Sequence, residues 1–379
     1  MSGAAAPLPC TGSEHLDVLV DELDRLVLRV RAAVVAPDAA TVAERRALED
    51  AATADATLRL DGGLRATADG SGGERLERPG TWLDALGGTV GHDAEAADVE
   101  LKGTLDDATL ERLAGLERSG VLAGLAADDL APAFGRTSAD EGGLGTAIAL
   151  LHGRLTAGLV ADERAGRLRR GPRVVHDASV GRVLFFPTEP ALLPDAWDAL
   201  LRHVTGSGAG AAAARLPAAV RAGLLHLELL RHQPFDAANG RLARAASRLA
   251  LLADELLPAG LGASDAVHAE HPLGYHEEVG ASVRRRDATR WVERALETHG
   301  IALRRTLDAL TPDGGGDALP DGLGATFTLA DVVAEVGGSS AAARERCSTW
   351  VVDGRAERIV GSSGLRLRRP TDQSAASAS

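Results

Sequence analysis

Residues 226–244 read His-Leu-Glu-Leu-Leu-Arg-His-Gln-Pro-Phe-Asp-Ala-Ala-Asn-Gly-Arg-Leu-Ala-Arg. Pro234 and Phe235 interrupt one helical run, and Asn239-Gly240-Arg241 open another. Gly240 lets backbone N–H groups come close to a ligand. Free amides at a helix N-terminus, helped by the helix dipole, make an anion site. Arg241 and Arg244 lie three apart and so share a helix face. Two guanidinium groups at such a place suit a polyphosphate. A plainer reading stands beside this one: Asn239 is an N-cap, and the arginines pair with surface carboxylates.

The elements that must hold this stretch are mostly helices. Aromatic residues are 3% of the chain, and Ala and Leu dominate the apolar set, which favours helix over strand. Leu16, Val18, Leu19, Leu23, Leu26, Val27 and Val30 form a helical stripe over 13–35, with Ser13 as its N-cap. A second helix is expected over 41–60, stopped by Asp61-Gly62-Gly63. Residues 66–79 read as loop. Further helices are expected over 105–116, 144–161, 194–204, 216–230, 241–257 and 288–310. The pattern breaks once, where 172–176 and 181–186 read as a β-hairpin. After a Gly-, Asp- and Pro-rich linker, a helix at 328–336, a second at 340–351 and strands at 355–359 and 365–369 outline a winged helix.

At 379 residues and 45% hydrophobic, the chain can fill the cores of two or three domains. No run is long and apolar enough to suggest a transmembrane helix, and the first ten residues lack the pattern of a signal peptide. Two cysteines, Cys10 and Cys347, build neither a disulfide framework nor a zinc site. These features point to the cytoplasm and to no membrane partner. The net charge of −13 argues against a nucleic-acid binder acting through the whole molecule. Lys102 is the single lysine, in a context unlike a P-loop or Schiff-base lysine.

The stretch 226–244 resembles the Fic (Fido) domain, whose motif reads H-P-F-x-D/E-G-N-G-R-x-x-R between two helices. Pro234, Phe235, Asn239, Gly240, Arg241 and Arg244 match it. His226 and Glu228 sit where the family helix carries a His-x-Glu-like start. Leu151-His152 and Gly166-Arg167-Leu168-Arg169 look like the helix and Gly-x-x-Arg ahead of the family's flap, and the hairpin ending Phe185-Phe186-Pro187 looks like the flap. Tyr275, Asp287 and Trp291 fit the helices that follow. The resemblance covers 144–310. It implies binding of ATP or another nucleotide, with Asn239, Gly240, Arg241 and Arg244 on the phosphates.

Three family positions are changed. Aligned without a gap, the catalytic histidine falls on Gln233, the metal-binding acid on Ala237 and the first motif glycine on Ala238. The family's usual reaction is protein adenylylation, the transfer of AMP from ATP to a protein hydroxyl. A histidine takes the hydroxyl proton, and a carboxylate holds Mg²⁺. Glutamine is no general base, and the alanine side chain cannot bind Mg²⁺. The resemblance therefore implies a nucleotide-binding protein impaired or inactive as an adenylyltransferase, a pseudoenzyme. An alternative keeps activity through His232 and Asp236, with the loop absorbing one extra residue. Thr57 and Asp61 resemble the family's inhibitory segment, which would set Asp61 against Arg241. A helix end capped by Gly62 accounts for that glycine equally well.

In the family, the flap pairs with an extended segment of a target protein. Here Val174, Val183, Phe185 and Phe186 could also serve only to cover the core. His268, His271 and His276 with Glu270 and Glu277 match no metal-ligand spacing, and Pro272 is read as breaking that segment, so no metal is assigned. From 341 to 370, seven arginines face three acids, which suits DNA or a protein partner. A third reading makes the chain a winged-helix regulator or scaffold, and a homodimer is left open.

The expected fold is mostly α: a Fic-like helical core with one β-hairpin flap and a C-terminal winged-helix-like unit. Residues 1–110 form an N-terminal helical region and 111–310 the Fic-like domain. Residues 311–323 are a linker, 324–370 the winged-helix-like domain and 371–379 a disordered tail.

Overall fold

The computed structural model describes residues 6–35, 37–60, 107–135, 141–176, 183–206, 216–311, 319–320, 322–336, 340, 343–344, 346–347, 350, 356–359 and 366–369. Two compact units divide the chain, Met1–Leu303 and Arg304–Ser379. The N-terminal helices belong to the first unit.

Helix α1, Glu14–Val35, starts where expected. Ser13 Oγ accepts the amide of Leu16 at 3.0 Å, satisfying a free N–H of the first turn. Its buried stripe is Leu16, Leu23, Leu26, Val27 and Val30. Helix α2, Ala39–Leu60, begins two residues before the expected start. Its cap is Asp38, whose carboxylate accepts the Thr41 amide at 2.7 Å. That bond holds the Asp38 carboxyl below its usual range. The stop at 61–63 and the loop at 66–79 lie outside the described residues.

Helix α3, Asp107–Leu125, leads into a 3-10 segment, Asp128–Phe134, that the periodicity does not announce. Helix α4 is Glu141–Leu155. Strands β1, Val175–His176, and β2, Val183–Phe185, form the expected antiparallel hairpin, with Val175 opposite Phe185. Their turn lies outside the described residues. Helix α5 is Leu193–Thr205.

At the centre lie α6, Ala218–His232, and α7, Asn239–Ala253. Every α6 residue from Ala219 to His232 is buried, polar ones included, so α6 is a core helix that must satisfy its charges internally. A short helix α8, Asp265–His268, precedes α9, Pro272–Arg285. Pro272 opens α9 rather than breaking the segment, because the first helical position needs no N–H. Helix α10 is Thr289–Leu310, and Trp291 Nε1 donates to the Gly223 carbonyl of α6 at 2.8 Å.

In the second unit, β3 (Thr326–Thr328), helix α11 (Leu329–Val336), β4 (Glu357–Arg358) and β5 (Arg366–Arg368) are described. The sheet order is β3-β5-β4, all antiparallel. Strand β3 was not expected. Thr328 and Asp331 cap α11 reciprocally: Asp331 accepts the Thr328 amide at 2.7 Å, and Thr328 Oγ1 accepts the Asp331 amide at 3.3 Å. Phe327, Val332, Cys347, Trp350 and Leu367 fill this unit's core. Among the described residues, no helix is long and apolar enough to cross a membrane.

Candidate functional site

Helix α6 ends at Gln233, whose backbone turns into the left-handed region (φ 45°, ψ 61°). Its amide donates to the Leu229 carbonyl at 3.0 Å, and its side-chain Nε2 donates to the Leu230 carbonyl at 3.0 Å. Gln233 therefore serves as the helix's C-cap. Phe235 follows, buried against His152 at 4.3 Å between ring centroids and edge-on to Trp197. Asn239 closes the loop onto itself: its Oδ1 accepts the Phe235 amide at 2.9 Å, and its Nδ2 donates to the Phe235 carbonyl at 2.8 Å. Its side chain is thus committed to the loop, ahead of any ligand.

Four further side chains fix this loop. His152 Nδ1 accepts the Gly166 amide at 2.9 Å, so Nδ1 is bare and Nε2 carries the proton. Nε2 then donates to the Ala237 carbonyl at 3.2 Å. Burial pushes the ring's pKa down to about 4. Arg169 Nε donates to the Gln233 carbonyl at 2.7 Å, Nη1 to Gly171 at 2.6 Å, and Nη2 to Thr188 and His232. One guanidinium thereby ties the flap's exit to the loop, and burial lowers its pKa to about 10. Arg173 donates to the Phe235 and Asp236 carbonyls. The Asp236 carboxylate pairs with Arg164 at 2.9 Å.

Helix α7 begins after Ala238, itself left-handed (φ 55°). Gly240 is half-buried at its first turn. Arg241 and Arg244 do share a face, and both are buried. Arg241 lies 3.2 Å from the Glu117 carboxylate of α3. Arg244 lies over the Tyr275 ring, 6.0 Å from its centroid. It also donates to the Thr57 carbonyl at 3.3 Å and stands 3.7 Å from the Asp265 carboxylate. The surface ion pairs of the plainer reading are not what holds these arginines. Thr57 thus reaches the motif from α2, through its backbone on Arg244, while its hydroxyl donates to Asp265. Asp61 lies outside the described residues.

The His232 ring is held by partners outside the motif loop. Its Nδ1 is 2.7 Å from the Thr188 hydroxyl and its Nε2 3.1 Å from the Glu228 carboxylate. His232 and Asp236 are thus engaged with different partners and are not brought together. The Ala237 side chain is buried. With no side-chain oxygen there, and with Asp236 held by Arg164, the residues present do not fit the Mg²⁺ that the resemblance implies. Among the described residues, no three His, Cys, Asp or Glu side chains are grouped to hold a metal. Glu117, Arg164 and Thr188 were not legible in advance; an acid on an amphipathic helix and a threonine after Phe-Pro carry no motif.

No protein-family model matches the chain. No curated protein matches it in sequence. Solved structures do. A Fic family protein from Desulfovibrio desulfuricans superposes with a TM-score of 0.55 at 19% identity, covering 96% of this chain and 98% of that one. A Fic domain-containing signalling protein from Bacteroides thetaiotaomicron is also found, at TM-score 0.47 and 18% identity, covering 77% and 98%. Identity this low carries the fold alone, and the first likeness shows it: the chain has a mostly α Fic fold.

Proposed function

We propose that this chain is a degenerate Fic-type nucleotide-binding protein, impaired in transferring AMP to other proteins. The observation that carries this reading is the state of Gln233. It stands at the family's base position, has no proton to exchange near neutral pH, and spends its amide on the Leu230 carbonyl. Ala237 supplies no metal ligand. The phosphate-binding half of the motif remains, in the first turn of α7 with Arg241 and Arg244. Both guanidiniums are engaged by groups from α2 and α3, so nucleotide binding requires Glu117 and the Thr57 segment to give way. Those contacts are read as inhibitory.

Calorimetry with ATP and ADP tests this. Arg241→Ala should abolish binding. Glu117→Gln should tighten it about tenfold, because a charge competing for Arg241 is removed. Failure of both nucleotides to bind even the Glu117→Gln chain overturns the reading.

Two partner readings go with it. The flap exposes Val174, Val183 and Phe186, which suits addition of a strand from a protein target. The C-terminal unit is read as a winged helix that contacts DNA, since Arg344, Arg366 and Arg368 are exposed. Duplex retardation that weakens steeply with salt, and is lost without residues 324–379, would support the DNA contact; no retardation at low salt would end it.

A further inference from the structure

One turn past the motif, α7 carries a third buried arginine. Arg248 follows Arg244 by four positions, so the two share a helix face. Only 6% of Arg248 is exposed. Its Nη1 lies 3.2 Å from Asp128 Oδ1. That carboxylate is shared, because Arg46 Nη2 donates to its other oxygen at 2.5 Å. Asp50 stands 3.6 Å from Arg46 and feels both arginine charges, yet burial holds its carboxyl above the usual range. Arg248 Nε and Nη2 are sealed and meet no acceptor among the protein groups around them. Most of one guanidinium's donors are thus unspent in a buried place, where an unmade hydrogen bond costs most.

Arg248 borders a cavity between α7 and the segment 263–265. Its volume is about 10 Å³, the room that one water-sized sphere needs. Arg244, Arg248 and Asp265 are the charged groups of its lining, two guanidiniums against one carboxylate. Asp265 already accepts the Thr57 hydroxyl and stands 3.7 Å from Arg244. Ser247 spends its hydrogen on the Ala222 carbonyl at 3.1 Å. Ser264 precedes α8, but its hydroxyl caps no amide of that helix. His226 brings no charge, since burial holds its pKa well below the usual value, and its Nε2 lies 2.9 Å from the Tyr275 hydroxyl. The cavity is thus rich in donors and positive in sum. Surrounding protein of low dielectric strengthens the pull of that charge.

We propose that this cavity binds one small monovalent anion of the halide class, held by Arg248 Nε and Nη2 with the Ser264 hydroxyl beside them. A water molecule there satisfies donors but leaves the charge unanswered. A halide does both, and it brings no hydrogens that need acceptors of their own. Phosphate and other polyatomic anions exceed the room available. Arg248 lies outside the motif, so this is a different place from the anion site in the first turn of α7. Arg244 borders both. Halide binding therefore bears on a guanidinium that a nucleotide phosphate would need, a consequence that rests on the nucleotide reading above; the halide site itself does not.

The test uses sodium bromide and sodium chloride on the full chain, with no nucleotide present. Crystals grown in bromide should show an anomalous-scattering peak beside the Arg248 guanidinium. In solution, the thermal transition of the first unit should rise with chloride and then level off, measured against the bulkier anion isethionate at equal ionic strength. Chloride at about ten times its dissociation constant multiplies the folded-to-unfolded ratio about elevenfold. Arg248→Met should abolish that chloride-specific rise, and Arg25→Met, on the exposed side of α1, should keep it. Water alone in the cavity of the bromide crystal, or bromide only at exposed arginines, overturns the proposal whether or not Arg248→Met folds. A chloride-specific rise that Arg248→Met retains in full overturns it as well. None of these readouts involves ATP, so the nucleotide reading stands or falls separately, by its own calorimetry.

Discussion

His152, His268 and His299 are buried rings whose charged form has no water to face. Burial lowers their pKa values from 6.5 to about 4, about 3 and about 4 respectively. Each folded value lies below the unfolded one, so the unfolded chain binds more protons beneath pH 6.5. Stability is then complete above about pH 6.5 and is lost as pH falls toward 4, by about 1.4 kcal/mol per pH unit for each ring. Urea midpoints measured between pH 8 and pH 5 should be flat at the alkaline end and fall steadily below it. A midpoint unchanged down to pH 5 would contradict the burial of these rings. At this scale the sequence was half legible. By spacing, Arg241 and Arg244 announced themselves as neighbours on one helix face, and both lie buried there. Their partners did not, because pairing is non-local: Ala237 binds His152 across 85 positions, and Arg244 binds Thr57 across 187.

The elements that carry the site were mostly readable, since a core helix repeats its apolar residues every three or four positions. The misses have local causes. Pro272 suggested a break but opens α9, because proline fits a first turn as well as it ends a helix. The 3-10 segment Asp128–Phe134 holds Pro132 and is too short to show a period. Within these elements, Gly166 is the hinge on which His152 depends. Its φ is +72°, and a Cβ there would lie 2.8 Å from the Ala149 carbonyl oxygen of α4. Gly166→Ala should cost about 2–4 kcal/mol, from the left-handed backbone and the crowding together. Gly153, inside α4, is the internal control: nothing lies within 4 Å of its would-be Cβ, so Gly153→Ala should stabilise by about 0.5–1 kcal/mol. Urea unfolding of the two variants reads both signs, and equal effects would refute the assigned geometry.

For the whole molecule, the chain divides into two compact units at 303–304. Helices α2 and α3 each send groups to the arginines of α7, and charges buried this deeply bind their elements into one unit. The C-terminal unit is small, and small units bury too little surface to have stability to spare. Its core turns on Trp350, fully buried and edge-on to Phe327 at 6.1 Å between ring centroids. Truncating a buried tryptophan costs about 3–5 kcal/mol, comparable to all the stability a unit of this size holds. Trp350→Ala should therefore unfold the second unit at 25 °C. The first unit, with Trp291 as its buried reporter, should keep its own thermal transition. Calorimetry of the variant should show one transition lost and the other unmoved. A shift of both would mean that the two units fold as a single cooperative body, and that the division of the chain at 303–304 has no energetic counterpart.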